Sequence, residues 1–186
     1  MNNWIKKLLI GSYIWYLGEG MFGPLYSIFA QKIGGDVLEL TAAYAVYLVA
    51  SGMITIILGK ISDNYSKPKL MIMGYTLNAL ATFGYLLVSN PLSLLIVQSI
   101  LGVANALATP TWNSLYSTYV EKKRAGEQWG LSSGGPDIIT AGSIIIGGFI
   151  ITYLGFNALF ITMGVTQVIA TIVQASILKN DKISYS

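Results

Sequence analysis

The chain has 186 residues, no cysteine, no histidine, a net charge of +3 and only 10% charged residues, with a mean hydropathy of +0.62. A soluble domain carries roughly a quarter charged residues, so these values exclude one and point to an integral membrane protein. The missing Cys and His exclude disulfides, thiolate chemistry and the commonest metal ligands. The basic residues sit at the ends of apolar runs, which does not make a nucleic-acid patch.

The apolar residues fall into runs of the length that crosses a bilayer core of about 30 Å. Six spans are predicted, over residues 8–31, 40–58, 70–89, 92–117, 130–153 and 157–178, all within one domain, 1–186. Lys6 and Lys7 precede the first run, but no small-residue cleavage site ends a short apolar core. It is therefore expected to be a retained span and not a signal peptide. Gly34, Gly35 and Asp36 close it. The polar stretch Gly59–Lys69 separates spans two and three, and Asn90-Pro91 makes a minimal turn before span four. Span four carries no charge as far as Val120, and Pro110 is expected to kink it. Glu121 to Arg124 form a second charged loop, and Gly155 breaks the apolar stretch that follows.

Six spans leave both termini on one side. Lys6, Lys7, Lys60, Lys67, Lys69, Lys122, Lys123, Arg124, Lys179 and Lys182 then share that side, and Lys32 alone lies opposite. Positive charge is retained in the cytoplasm. The expectation is a multi-pass protein of the cell membrane with both termini cytoplasmic. Continuous apolar runs do not alternate lipid-facing and lumen-facing residues, so a β-barrel is excluded.

Glu19 is the sharpest chemical signal. It lies twelve residues after Lys7, about 18 Å into the membrane at ~1.5 Å per residue. An acid at that depth is costly and is read first as functional, against a structural alternative in which it is a protonated carboxyl bonded between helices. Ser12, Tyr16, Glu19, Gly23 and Ser27 recur at helical spacing and make one polar stripe. Gln98, Gly102, Asn105, Thr109 and Trp112 make a matching stripe in span four, with interhelical hydrogen bonding as the plainer reading. Tyr16, Glu19, Gln98, Asn105 and Trp112 are the candidate substrate-binding or proton-coupling residues. Asp137, after Pro136, is either a coupling site or a wetted acid at a cavity mouth.

Small residues let helix backbones approach closely. Gly134, Ala141 and Gly148 in span five, with Ser51, Thr55 and Gly59 in span two, are read as packing faces. Gln167 and Gln174 share a face of span six and are given a structural role. The abundant aromatic residues are assigned mainly to belts at the membrane interfaces. The sequence offers no phosphate-binding loop, no nucleophile–base pair and no metal-ligand pattern. Neither an enzyme nor a cofactor is expected.

The loop Gly59-Lys60-Ile61-Ser62-Asp63-Asn64-Tyr65-Ser66-Lys67-Pro68-Lys69 resembles the loop between helices 2 and 3 of major facilitator superfamily transporters. Gly59, Asp63, Lys67 and Lys69 fit that motif. Asn64 stands where Arg is usual and Ser66 where Gly is usual. Gln98 to Gly102 is similar to the family's Arg-x-x-x-Gly motif with Gln in place of Arg. Gly135-Pro136 resembles a helix-5 motif, and Gly155-Phe156 with Phe160 resembles the start of helix 6.

The resemblance implies an all-α membrane fold, half of the usual twelve-span protein, built from two inverted three-helix units. It implies that helices 1 and 4 line the cavity and that helices 2 and 5 face the other half. One half leaves its cavity open, so a homodimer with a two-fold axis along the membrane normal is expected. Ser51, Thr55, Gly134, Ala141 and Gly148 would form its contact. Gly59, Asp63, Lys67 and Lys69 would gate the cavity, with Asp63 as a conformational lock. The expected function is secondary transport of a cationic or neutral small molecule by alternating access, with proton coupling through Glu19. The alternatives are one half of a heterodimeric transporter and a non-transporting membrane scaffold or assembly factor.

Overall fold

The computed structural model describes residues 1–61 and 64–178, and among them every regular element is helical. Helix α1 (Asn3–Gly20) leads through a 3-10 turn, Gly23–Leu25, into α2 (Tyr26–Lys32). Next come α3 (Val37–Ile61), α4 (Lys67–Gly84), α5 (Pro91–Tyr119) and α6 (Ala125–Ala175). Among the described residues, four helices are long and apolar enough to cross a membrane: those beginning at Val37, Lys67, Pro91 and Lys122. Helix α1 falls short because its 18 residues carry Lys6, Lys7 and Glu19.

The boundaries follow from local chemistry. Gly34 has φ 85°, a conformation that favours glycine. It lets the Gly34 and Gly35 N–H groups donate back to Gln31 and Ala30, which ends α2. Asp36 and Glu39 then cap α3 reciprocally: Glu39 N–H donates to Asp36 Oδ1 at 2.8 Å and Asp36 N–H to Glu39 Oε2 at 3.0 Å. Asn90 and Ser93 form the same kind of box at the start of α5.

Two features differ from the sequence reading. The first apolar run is not one helix, because α1 stops at Gly20 and the chain turns at Phe22-Gly23-Pro24. Proline has no N–H to donate, and the break falls one turn after Glu19. The second difference is Gly155, which does not end α6 but turns the chain within it; α5 includes Pro110 within its helical residues.

Helix α6 has 51 residues, and a straight helix of that length would reach about 77 Å. Gly155 (φ 80°, ψ 179°) splits it into two limbs. In the first limb, residues 125–154, Leu131 bonds Tyr13 and Gly147 meets Met21, so this limb runs parallel to α1. In the second, residues 156–175, Gln167 meets Gly18 and Gln174 meets Gly11, so this limb runs antiparallel to it. Gly155 is therefore a chain reversal. Helix α4 packs on α5 and α6 and reaches the α1 segment through aromatic side chains, with Trp15 against Tyr75 and Phe22 against Tyr85.

Two apolar clusters hold the bundle. One, at the Gly34 end, gathers Phe22, Phe29, Tyr85, Phe156 and Phe160. The other, at the end where the chain starts, gathers Ile5, Leu8, Met71, Trp112 and Tyr116. Glu19 lies between them in chain order, so the polar groups around it form a layer between two apolar plugs.

Close helix contacts depend on glycine at a few sites. A Cβ on Gly74 would lie 2.6 Å from the Ala108 nitrogen and 2.8 Å from the Ala104 carbonyl oxygen of α5. A Cβ on Gly147 would meet the Met21 carbonyl. Backbone cannot yield as a side chain can, so Gly74→Ala and Gly147→Ala should each cost about 1–3 kcal/mol. Gly142, open on the outer side of α6, supplies the comparison: Gly142→Ala should leave stability unchanged or slightly raised. Thermal unfolding in detergent followed by circular dichroism checks the three. Equal melting temperatures would mean that the α4–α5 and α1–α6 contacts are looser than described.

Candidate functional site

Glu19 emerges from the last turn of α1, just before the break at Pro24. Its Oε1 accepts from Asn78 Nδ2 of α4 at 2.8 Å and from Gln167 Nε2 of α6 at 3.1 Å. No Lys or Arg pairs with it among the described residues. The other carboxylate oxygen, Oε2, carries no hydrogen bond among them.

Glu19 lines a cavity of about 400 Å³ together with Tyr16, Asn78, Gln98 and Asn105. The aromatic rings of Trp15, Phe22, Tyr26, Tyr44, Tyr47 and Tyr85 complete much of its wall. Five of the twelve tyrosines thus stand around the acid. Gln98 is buried, and the nearby Tyr26 hydroxyl is buried without a hydrogen-bond partner among the described residues. Asn105 donates to Ser51 Oγ of α3 at 2.8 Å and accepts at Oδ1 from Thr109 at 2.7 Å.

A second cavity, of about 310 Å³, adjoins the first and shares Trp15, Tyr16 and Thr109 with it. Trp112 and Asp137 line this one and not the Glu19 cavity. Trp112 is mostly committed to the fold: its Nε1 donates to the Leu8 carbonyl at 3.2 Å, and its ring stacks on Tyr116 at 4.7 Å. Asp137 is exposed.

The candidate packing residues separate. Gly134 and Gly148 have open space where a Cβ would stand, and Ala141 is exposed. Ser51 does not belong with them. It is buried against α5, where it accepts the Asn105 hydrogen bond and where its backbone nitrogen lies against Gly102. Four-residue spacing places Thr55 near the same face as Ser51, and Thr55 is half-buried. Of the residues read as a loop, Gly59 lies instead within the last turn of α3, with open space where a Cβ would stand, Lys67 and Lys69 lie in the first turn of α4, and Asp63 lies outside the described residues.

Asn78 is the residue that sequence reasoning missed. It is the only amide in the third span, a signal that was available. Gln167 was read as structural, and its contact with Glu19 was not foreseen.

A bundle of apolar helices around an aromatic cavity with one acid is the architecture of a multi-pass membrane protein, and the comparisons give its class. The family model described as Major Facilitator Superfamily matches residues 8–183. The chain belongs to that family. It is 28% identical over 157 residues to an MFS-type transporter of Methanocaldococcus jannaschii, covering 84% of this chain and 41% of that one. It is 26% identical over 173 residues to the quinolone resistance protein NorB of Staphylococcus aureus, covering 89% of this chain and 36% of that one. Its fold is similar to that of the POT family transporter PepTSo, with a TM-score of 0.75 at 8% identity, over 96% of this chain and 38% of that one. The chain thus spans about two-fifths of the length of these relatives. Its family is one of membrane transporters and not of enzymes.

Proposed function

We propose that this chain is one six-helix half of a secondary transporter that moves a cationic or neutral polar small molecule by alternating access. Its six crossings are α1 with α2, then α3, α4, α5 and the two limbs of α6. Lysine placement supports a cell-membrane orientation with both ends of the described chain cytoplasmic. The observation that carries the reading is Glu19, a carboxylate without a cationic partner among the described residues, on the wall of the 400 Å³ aromatic cavity. Such a site attracts an organic cation, because the acid supplies charge and the rings supply apolar and cation–π contact. The same acid can exchange a proton with the substrate, which would couple transport to a proton gradient. Tyr16, Gln98 and Asn105 shape this pocket, and Trp112 and Asp137 line the adjoining one on the substrate's route.

On this reading a single half leaves a polar groove open along one side. A second six-helix unit would close it, and we take that unit to be another copy related by a two-fold axis along the membrane normal. The full pocket would then carry two copies of Glu19. The resemblance of the Gly59–Lys69 loop to the family motif supports a gating role for Gly59, Asp63, Lys67 and Lys69. On this reading Asp63→Asn should raise labelling of a cysteine placed at Ser133, from the cytoplasmic side, and slow net transport by about three-fold or more. Unchanged labelling and rate would make Asp63 an ordinary loop charge.

The decisive test is flux by purified protein in liposomes under an imposed proton gradient. Ethidium serves as the aromatic cation and norfloxacin as a quinolone, the latter because NorB is a quinolone resistance protein. Accumulation of either probe against its gradient, collapsed by an uncoupler, is the expected result. Gradient-independent leakage equal to that of empty liposomes for both would overturn the proposal.

A further inference from the structure

We propose that Asn78 and Gln167 are positioning residues that hold Glu19 by one oxygen, so that its undiminished negative charge and its other oxygen face a cation in the cavity. This rests on the reading of Glu19 as the group that binds the cation, and it adds how the protein keeps that group ready.

A carboxylate beside an apolar bundle needs hydrogen-bond donors to stay charged. An arginine or lysine would supply them but would also cancel the charge. Here both donors are neutral amides, Asn78 Nδ2 at 2.8 Å and Gln167 Nε2 at 3.1 Å, converging on Oε1 from two different helices. Tyrosines are the other titratable groups on the cavity wall: Tyr16 of α1, Tyr26 of α2, Tyr44 and Tyr47 of α3, and Tyr85 after α4. Asp137 of α6 lies in the adjoining cavity. Among the described residues, no lysine or arginine lines either cavity. No cation therefore cancels the charge of the ionised carboxylate, and the amides stabilise that charge without neutralising it.

The orientation of Gln167 is fixed by a second contact. The same Nε2 donates to the Trp15 carbonyl at 3.1 Å. Flipping the amide would set its oxygen against two acceptors, the Trp15 carbonyl and Glu19 Oε1. In the present orientation Gln167 Oε1 is buried without a partner among the described residues. An unpartnered buried acceptor is costly, so the fold gives up a hydrogen bond at Oε1 to aim the donor at Glu19.

One heptad along α6 stands an internal control. Gln174 repeats the arrangement: its amide lies over Gly11 as that of Gln167 lies over Gly18, and its Nε2 donates to the Leu8 carbonyl at 3.2 Å. The Gln174 Oε1 is likewise buried without a partner among the described residues. What differs is the third group, the Tyr75 hydroxyl at 3.2 Å in place of a carboxylate. The two rungs share their part in joining α6 to α1, and only the Gln167 rung touches the acid. A purely structural role would make them equivalent.

The test reads the carboxyl directly and needs no transport. Dicyclohexylcarbodiimide modifies an intramembrane carboxyl only while that carboxyl holds a proton, and peptide mass spectrometry reports the fraction of Glu19 modified, with Glu19→Gln as background. In lipid nanodiscs at pH 7, Gln167→Met and Asn78→Leu should each raise the labelling rate about ten-fold, since each removes a hydrogen bond to a charged group. Gln174→Met should leave the rate within about two-fold of the parent. Ethidium should slow labelling in the parent by occupying the site. Equal acceleration by all three substitutions would mean general loosening of the bundle, and no acceleration by any would mean that the amides do not support the charge; either result overturns the proposal. If Gln167→Met does not assemble, Asn78→Leu against Gln174→Met makes the same comparison. A failure of flux with this labelling pattern intact would overturn the transport reading and leave the amide clamp standing.

Discussion

Glu19→Gln is expected to abolish proton-driven accumulation of the probe cation in liposomes while leaving the protein folded and its assembly mass unchanged. The substitution is unusually clean at this position. A glutamine side chain keeps an oxygen where Oε1 stands, so it can still accept from Asn78 and Gln167. The polar layer between the two apolar clusters therefore stays satisfied. What disappears is the charge and the capacity to take up a proton. Losing a charged partner costs about 1.5–3 kcal/mol, so ethidium should bind about ten-fold to a hundred-fold more weakly. Coupled accumulation should fall to the level of empty liposomes, because no other acid lines this cavity among the described residues. The measurement is a paired one, equilibrium binding of ethidium and uptake under a pH gradient. Undiminished gradient-driven uptake by the variant would remove Glu19 from the coupling mechanism, whatever happened to affinity.

How far the sequence carried these conclusions depends on the kind of signal. Helix limits at Gly34, Asn90 and Gly155 were legible because each rests on local chemistry: a positive φ, a capping box or a reversal that glycine accommodates. The break at Phe22-Gly23-Pro24 was not, since apolar residues continue on both sides and hydropathy does not register a missing N–H. Glu19 was legible as an acid in an apolar run, but its holders were not. Asn78 stands alone in its span and forms no stripe. Gln167 and Gln174 were seen to share a face, yet periodicity says nothing about which glycine or carboxylate that face meets. Ser51 failed for the same reason. A four-residue step of small residues marks a close approach, but the approaching helix is α5 of the same chain, drawn in by the Asn105 amide. The tyrosines show a limit of composition. Their abundance fitted interfacial belts, and only the packing of α1 to α4 reveals that several of them enclose the acid.

On the proposed two-fold architecture, Gly134→Leu and Gly148→Leu are expected to separate the two six-helix units without unfolding either. The first limb of α6 presents two faces one residue apart. Gly135 and Gly147 turn inward, onto Tyr13 and the Met21 carbonyl, whereas Gly134 and Gly148 meet nothing within the chain. Leucine at either outer site would therefore cause no internal clash, and the fold should be retained. Ala141 continues this outer stripe, and Ile138, Ile145, Phe149 and Tyr153 are exposed beside it. Such a face meets lipid or another helix. Small residues at seven-residue spacing suit a helix, because they let backbones come close where lipid tails require no such groove. In a two-fold assembly each substitution acts twice. Overpacking costs about 1–3 kcal/mol per site, so two copies cost about 2 kcal/mol or more, roughly a thirty-fold weaker association. Native mass measurement from lipid nanodiscs should show a parent at twice the chain mass and both variants shifted toward a single chain, with flux lost in proportion. Gly126→Leu is the comparison. That glycine is equally open but lies in the polar first turn of α6, beside Glu127, away from the stripe. If the variants hold the parental mass, this face meets lipid. If the parent itself is a single chain that still transports, the groove is closed by something other than a second copy, and the two-fold architecture is wrong.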